Sequence, residues 1–216
     1  MISETPGNVT IIVPVYAHWE SIRLCLASIQ AHVPDRHKII IINDNGPEAD
    51  TLEENIRQQI QASPNIIYFR NPENLGFVKT CNRAVKELDN SSNDILLLNS
   101  DTQVTRGVLE EMQEVLALFE KHAVVCPRSN RATLLSIPPY SRGLFKDFQT
   151  HIDCHERVKP YLPCYSVIPT ANGFCMLIRR SIIDRFGLFD EIYGKGFNEE
   201  NDFCLRIAQY GFSVII

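Results

Sequence analysis

The sequence predicts an α/β protein with a mostly parallel central sheet and helices on both faces. Three observations predict it. Short apolar runs recur along the first half of the chain, among them TIIVPV at 10–15, KIIII at 38–42 and ILLL at 95–98. Runs of that length, bounded by polar residues, read as strands buried on both faces. Between them the apolar residues fall at helical spacing, so strand and helix alternate as βαβαβαβαβ.

The first strand is 10–15, closed by Pro14 and Tyr16. The helix over 20–31 follows, with Ile22, Leu26, Ile29 and Val33 at helical spacing. The second strand, 38–42, runs into the turn cluster Asn43, Asp44, Asn45, Gly46 and Pro47. Leu52, Ile56 and Ile60 lie one turn apart on a second helix, and 66–69 is the third strand. A loop over 71–76 precedes a helix marked by Val78, Cys81, Val85 and Leu88. The fourth strand opens at Asp94 and ends abruptly in Asn99, Ser100, Asp101 and Thr102. A helix over 108–121 should carry Val108, Met112, Val115 and Phe119 inward, and 123–126 is a fifth strand.

The periodicity then fails. The stretch 127–169, rich in Pro, Arg, His and Tyr, carries no assignable element, and a long irregular segment in a compact domain is commonly functional. A strand at 174–178, a short helix at 181–186 and a helix at 199–209 complete the pattern. The final stretch, 212–216, is strand-like and stops, which predicts a chain cut short at its C-terminus.

The chain has 216 residues, enough for one domain with a substantial core. Its net charge of −5 argues against a broad nucleic-acid surface. Seven scattered cysteines, with no CxxC pair, exclude a disulfide framework and a zinc ribbon and fit a reducing cytosol. No apolar run is long enough to span a bilayer, and no signal-peptide pattern opens the chain.

In open α/β sheets ligands sit beyond the carboxyl ends of the strands. The loops carrying Pro14, Val15 and Tyr16, then Asp44 and Asn45, then Asn74, Leu75 and Gly76 should therefore gather on one edge with Asp101. An acidic residue there can bind a divalent cation through oxygen; read alone, it is equally a turn carboxylate. Gly76 opens a helix whose amides could face a phosphate. Neither GxGxxG nor GxxxxGK[ST] occurs, which counts against a Rossmann dehydrogenase and a P-loop NTPase. A second acidic cluster, Glu199, Glu200 and Asp202, begins the last helix. Carboxylates favour a helix start, yet crowded ones raise one another's pKa and suit a general base.

The ordered set TIIVPVY, the Asp44 turn, NLGF, LLLNSDT and FNEENDFCLR resembles the family 2 glycosyltransferases of GT-A fold. Its nearest resemblance is to bacterial rhamnosyltransferase-like enzymes of cell-surface polysaccharide synthesis, and it covers residues 8–216. The resemblance implies that Pro14, Val15 and Tyr16 line the base and ribose, that Asp44 contacts the base, and that Asn74, Gly76 and Lys79 surround the base and diphosphate. Asn99, Ser100 and Asp101 take the DXD position, with Asp101 holding Mn²⁺ or Mg²⁺. Asn172 and Gly173 border the acceptor. Glu199 and Glu200 match the acidic pair that supplies the base; Glu200 is preferred, then Glu199, then Asp202. It divides the chain into a nucleotide-sugar half, 1–126, and an acceptor and catalytic half, 127–216. The expected activity is metal-dependent, inverting hexosyl or deoxyhexosyl transfer from a UDP-, dTDP- or GDP-sugar to a saccharide or lipid-linked saccharide. The expected place is the cytoplasm, at the inner face of the plasma membrane where the acceptor is lipid-linked.

The chain departs from the family pattern in three ways. The metal motif has Asn first and a single Asp, the acidic pair is Glu-Glu rather than Glu-Asp, and the chain ends before the His that often completes the metal site. Two alternatives stand beside the transferase. A non-catalytic nucleotide-sugar-binding domain would fit the reduced metal motif. A sugar-1-phosphate nucleotidyltransferase would need a Gly-rich basic loop where PVYAHWE stands. His151, Cys154, His155 and Cys164 fit no standard zinc spacing. Trp19 reads as a ligand-stacking or helix-start packing residue. Arg128, Arg131 and Arg142 are candidates for a phosphate-bearing acceptor or for solvated loop positions. Arg179, Arg180 and Arg206 read as helix-end and ion-pair partners.

Overall fold

The computed structural model describes residues 7–132, 135–136 and 147–216. Its centre is an eight-stranded sheet in the order β3-β2-β1-β4-β7-β5-β8-β6. The strands are β1 (Val9–Val15), β2 (Lys38–Asn43), β3 (Ile66–Arg70), β4 (Asp94–Leu98), β5 (His122–Val125), β6 (Val167–Ile168), β7 (Cys175–Ile178) and β8 (Ser213–Ile215). The helices are α1 (Trp19–His32), α2 (Ala49–Ile60), α3 (Phe77–Arg83), α4 (Val108–Ala117), α5 (Phe148–Val158), α6 (Arg180–Phe186) and α7 (Glu199–Ala208). A π turn over Ala84–Leu88 extends α3.

Alternation along each strand splits the core into two layers. Ile11, Val13, Ile39, Ile41, Leu96 and Leu98 face α1, α2 and α4, packing on Ile22, Leu26, Leu52, Ile56 and Leu109. Ile12, Ile40, Ile42, Ile95 and Leu97 face α3, α6 and α7, packing on Val78, Cys81, Ile182, Phe203 and Ile207. Both faces are covered, so the strands carry unbroken apolar runs. Each fully buried Ile or Leu contributes about 1.5–3 kcal/mol.

The sheet departs from a simple parallel succession at one place. β7 runs antiparallel and is inserted between β4 and β5, pairing Leu98 with Cys175 and Val125 with Leu177. Its start, at Asn172 and Gly173, therefore lies at the edge where β4 and β5 end. The edge strand β6 is antiparallel to β8; the other six strands share one direction.

Three expectations are corrected. Helix α4 ends at Ala117 rather than at 121, and its buried residues are Leu109, Met112, Gln113 and Leu116. Phe119 is 53% exposed and packs edge-on against His122, with ring centroids 5.0 Å apart. Met112 is buried as expected and Val108 and Val115 pack partly buried against the core, while Leu109 and Leu116, one position on, are the more fully buried. Within 127–169, helix α5 forms, capped by Asp147, whose Oδ1 accepts the Thr150 N–H at 2.8 Å. None of its side chains is fully buried; Ile152, His155 and Val158 are partly buried along one face, a short stripe that the surrounding polar residues obscured.

Cys25, Cys81, Cys126, Cys175 and Cys204 are buried core residues, and all seven cysteines are free. Trp19 packs against the first core layer. No described helix is long and apolar enough to cross a membrane.

Candidate functional site

The loops after β1, β2, β3 and β4 and the segments entering β7 and α7 share one edge of the sheet. Parallel pairing places them there: Val15 is level with Asn43, and Asn43 with Arg70. All four non-glycine residues with positive φ among the described residues are on these loops: His18, Asn45, Phe197 and Asn198. Such backbone costs on the order of 1–3 kcal/mol per residue and concentrates at functional sites.

Asp44 organises the loops after β1, β2 and β3. It is buried, and five groups donate to its carboxylate. Oδ1 accepts from Asn71 Nδ2 at 2.7 Å, Thr80 Oγ1 at 2.8 Å and the Leu75 N–H at 2.9 Å. Oδ2 accepts from the Gly76 N–H at 2.9 Å and Asn74 Nδ2 at 3.1 Å. The loop after β3 is thereby tied to the loop after β2. The Asp44 N–H in turn donates to the Val15 carbonyl at 2.8 Å, which fixes the β1 loop. Gly46 lets that loop approach: a Cβ there would lie 2.0 Å from the Tyr16 carbonyl oxygen. Tyr16 is half exposed and Val15 buried, while Pro14 is partly buried. Gly46, Asn71 and Thr80 were not singled out from sequence; the N-D-N-G-P turn signal was the trace of the first.

At the end of β4, the Asn99 N–H donates to the Phe174 carbonyl at 2.8 Å, and Cys25 Sγ lies 3.7 Å from the Asn99 carbonyl oxygen. Asn99 and Ser100 are partly buried, and Asp101 is exposed. Asp101 is the lone acid of this loop. Among the described residues no group of three or more His, Cys, Asp or Glu is placed to hold a metal. Hard divalent cations accept one or two carboxylates when substrate phosphates complete the shell. The donor set thus fits an ion held jointly with a diphosphate, and not one held by this chain alone.

The three acids of α7 part company. Glu199 is 5% exposed and its Oε2 has no hydrogen-bond partner; burial holds its carboxyl above the ordinary glutamate range. It lies beneath Gly196, on the side of Phe77. Glu200 is partly exposed. Burial pushes the Cys126 thiol up to about 12 and the Cys204 thiol up to about 11, with the Glu200 charge adding to both. Cys126 Sγ is 3.9 Å from the Asn172 carbonyl oxygen, and the Ala171 N–H donates to Cys204 Sγ at 3.3 Å. Asp202 is paired with Arg206 at 3.3 Å.

A Cβ on Gly173 would meet open space. Lys79 is exposed on the first turn of α3. Arg128 donates to the Pro163 carbonyl at 3.3 Å, Arg131 is exposed, and Arg142 lies outside the described residues. Arg179 donates to the Leu116 and Phe119 carbonyls at the end of α4. Arg180 pairs with Asp89 and Asp184, each at 3.0 Å.

Glu199 yields a pH prediction. Its folded-state pKa is raised, so its contribution to stability is complete below the ordinary value of about 4.3 and is lost as pH rises through the raised value. Glu199→Gln should therefore gain stability relative to the parent protein on going from pH 4.5 to 7.5. Urea melts at both pH values check this; an equal difference at both contradicts it.

A mostly parallel sheet with tied loops at one strand-end edge and an acid-rich helix beside them is the architecture of the GT-A fold. The profile described as glycosyl transferase family 2 matches residues 10–187, and the chain belongs to that family. Among solved structures it is similar to the mannosyltransferase PcManGT from Pyrobaculum calidifontis, in complex with GDP-Man and Mn²⁺ (TM-score 0.69, 18% identity, 96% of this chain and 53% of that one). It is also similar to GalNAc-T7 with UDP, GalNAc and Mn²⁺ (TM-score 0.74, 14% identity, 99% and 43%). The chain thus spans about half the length of these structures. No curated protein matches it significantly.

Proposed function

We propose that this chain carries the donor site and catalytic base of an inverting glycosyltransferase that uses a nucleotide-diphosphate sugar. The observation that carries the proposal is the meeting of the Asp44-tied donor loop, Asp101 and the free carboxylate of Glu200 at one edge. Pro14, Val15 and Tyr16 line the base and ribose. Asp44 shapes that pocket by holding Asn74, Leu75 and Gly76. Asp101 would hold Mn²⁺ or Mg²⁺ together with the diphosphate, with Asn99 and Ser100 beside the nucleotide, and the ion would supply charge neutralisation for the leaving group.

Glu200 removes the proton from the acceptor hydroxyl. That oxygen bonds to the anomeric carbon as the bond to the diphosphate breaks on the opposite face, so configuration inverts. Of the three acids, Glu200 is the one both reachable and unpaired: Glu199 is buried, and Asp202 is held by Arg206. Asn172 and Gly173 border the acceptor. The resemblance to rhamnosyltransferase-like enzymes makes a hexosyl or deoxyhexosyl donor and a saccharide or lipid-linked acceptor at the inner membrane face the finer proposal.

A thermal-shift screen with UDP, GDP, dTDP and CMP, each with and without Mn²⁺, tests the site. A ligand at a hundredfold over its Kd stabilises by about 2.7 kcal/mol, a rise of several degrees for a chain of this size. One nucleotide should shift the melt, more so with Mn²⁺, and Asp101→Ala should abolish the Mn²⁺-dependent part. An Asp101→Ala protein with the full Mn²⁺ response refutes the metal role.

A further inference from the structure

The segment that leads into α7 is pressed against the donor loop. A Cβ on Gly76 would stand 2.8 Å from the Lys195 Cα and 3.0 Å from its Cγ, so the backbone and stem of Lys195 fill the space that a side chain at 76 would need. The Phe77 N–H donates to the Lys195 carbonyl at 3.2 Å. Gly194 and Gly196, with φ of +60° and +136°, flank Lys195, and this backbone, awkward for side-chain-bearing residues, sets Lys195 on Gly76 before the chain turns into α7.

The charge around this contact is unbalanced. Lys195 and Lys79 are both exposed, and neither forms an ion pair with another described residue. The loop after β4 offers a cation only one carboxylate, so the chain by itself holds a metal weakly there, and its own cations have a part in meeting a diphosphate's charge. A long cationic side chain laid over glycine keeps its ammonium in solvent and its stem on the protein, a disposition that suits a phosphate contact.

We propose that Lys195 is a donor-binding residue whose ammonium, together with that of Lys79, takes the diphosphate of the nucleotide sugar. The assignment rests on the donor-site reading given above for the loop around Gly76. It has a mechanistic consequence. Residues 194–200 then hold both a diphosphate contact and, five residues on, the base Glu200, so the occupied donor site orders the segment that carries the base.

The test uses UDP and GDP as probes, with uridine and guanosine beside them, by calorimetry for the diphosphates and ligand-detected NMR for the nucleosides. Lys195→Met keeps the stem over Gly76 and removes the charge. It should weaken diphosphate binding about tenfold, the loss of one charge-assisted contact, with a larger loss in the absence of Mn²⁺. Nucleoside binding and melting temperature should not change, and Lys195→Arg should restore most of the affinity. A Lys195→Met protein that binds the diphosphate as the parent does overturns the assignment. Equal losses for nucleoside and diphosphate also overturn it, since they mark a merely structural role. Parent protein that binds neither diphosphate overturns the donor-site reading itself, and this assignment with it.

Discussion

Glu200→Gln should bind the donor nucleotide as tightly as the parent protein and lose about 10²–10⁴ in transfer rate, the contribution of a positioned general base. The substitution keeps the side chain's size and removes its ability to accept a proton. Glu200 is partly exposed and forms no ion pair with another described residue, so neither stability nor nucleotide affinity should fall. The measurement is a pair: nucleotide Kd by calorimetry and turnover with a saccharide acceptor. Normal turnover would remove Glu200 as the base and turn attention to Glu199, whose buried carboxyl has one oxygen, Oε2, without a hydrogen-bond partner. Donor binding with no turnover in the parent protein would favour the non-catalytic binding domain.

Asp44→Ala should cost about 3 kcal/mol or more. Five donors converge on this carboxylate, two of them the backbone N–H groups of Leu75 and Gly76. A buried donor left without a partner costs about 1–3 kcal/mol. Water entering the gap recovers part of the sum, so the five do not add. With roughly 2–4 °C per kcal/mol for a chain of this size, the melting temperature should fall by about 10 °C. Asp44→Asn keeps one acceptor oxygen and should lose roughly half as much. Nucleotide affinity should fall in both, because the loop over 74–76 is no longer held. A melting temperature within about 2 °C of the parent would show that the five bonds are worth no more than their aqueous counterparts.

Much of this was legible in the chain. Strand runs such as KIIII, bounded by polar turns, need burial on both faces, and the strand-end rule then places Asp44, Gly76 and Asp101 on one edge before any coordinate is known. The inward stripe of α4 was legible only in part: Met112 is buried and Val108 and Val115 reach the core, but Leu109 and Leu116 are buried more fully and Phe119 is exposed, because both sets satisfy the helical period. Helix α5 was hidden for another reason: none of its residues is fully buried, and its short stripe through Phe148, Ile152 and Val158 is interrupted by His155.

The local sequence determined the elements of the first half, the turn chemistry after β2, and the presence of an acid-rich helix start. Those depend on periodicity, capping and backbone preference, which are properties of neighbours in sequence. Only the tertiary structure decided that β7 is inserted antiparallel between β4 and β5, bringing Asn172 to the edge. It alone turned Glu199 into the core and left Glu200 at the surface, and it alone laid Lys195 over Gly76, 119 residues earlier in the chain. Which carboxylate is desolvated and which lysine meets which loop depend on packing between distant segments, and no local pattern carries that information.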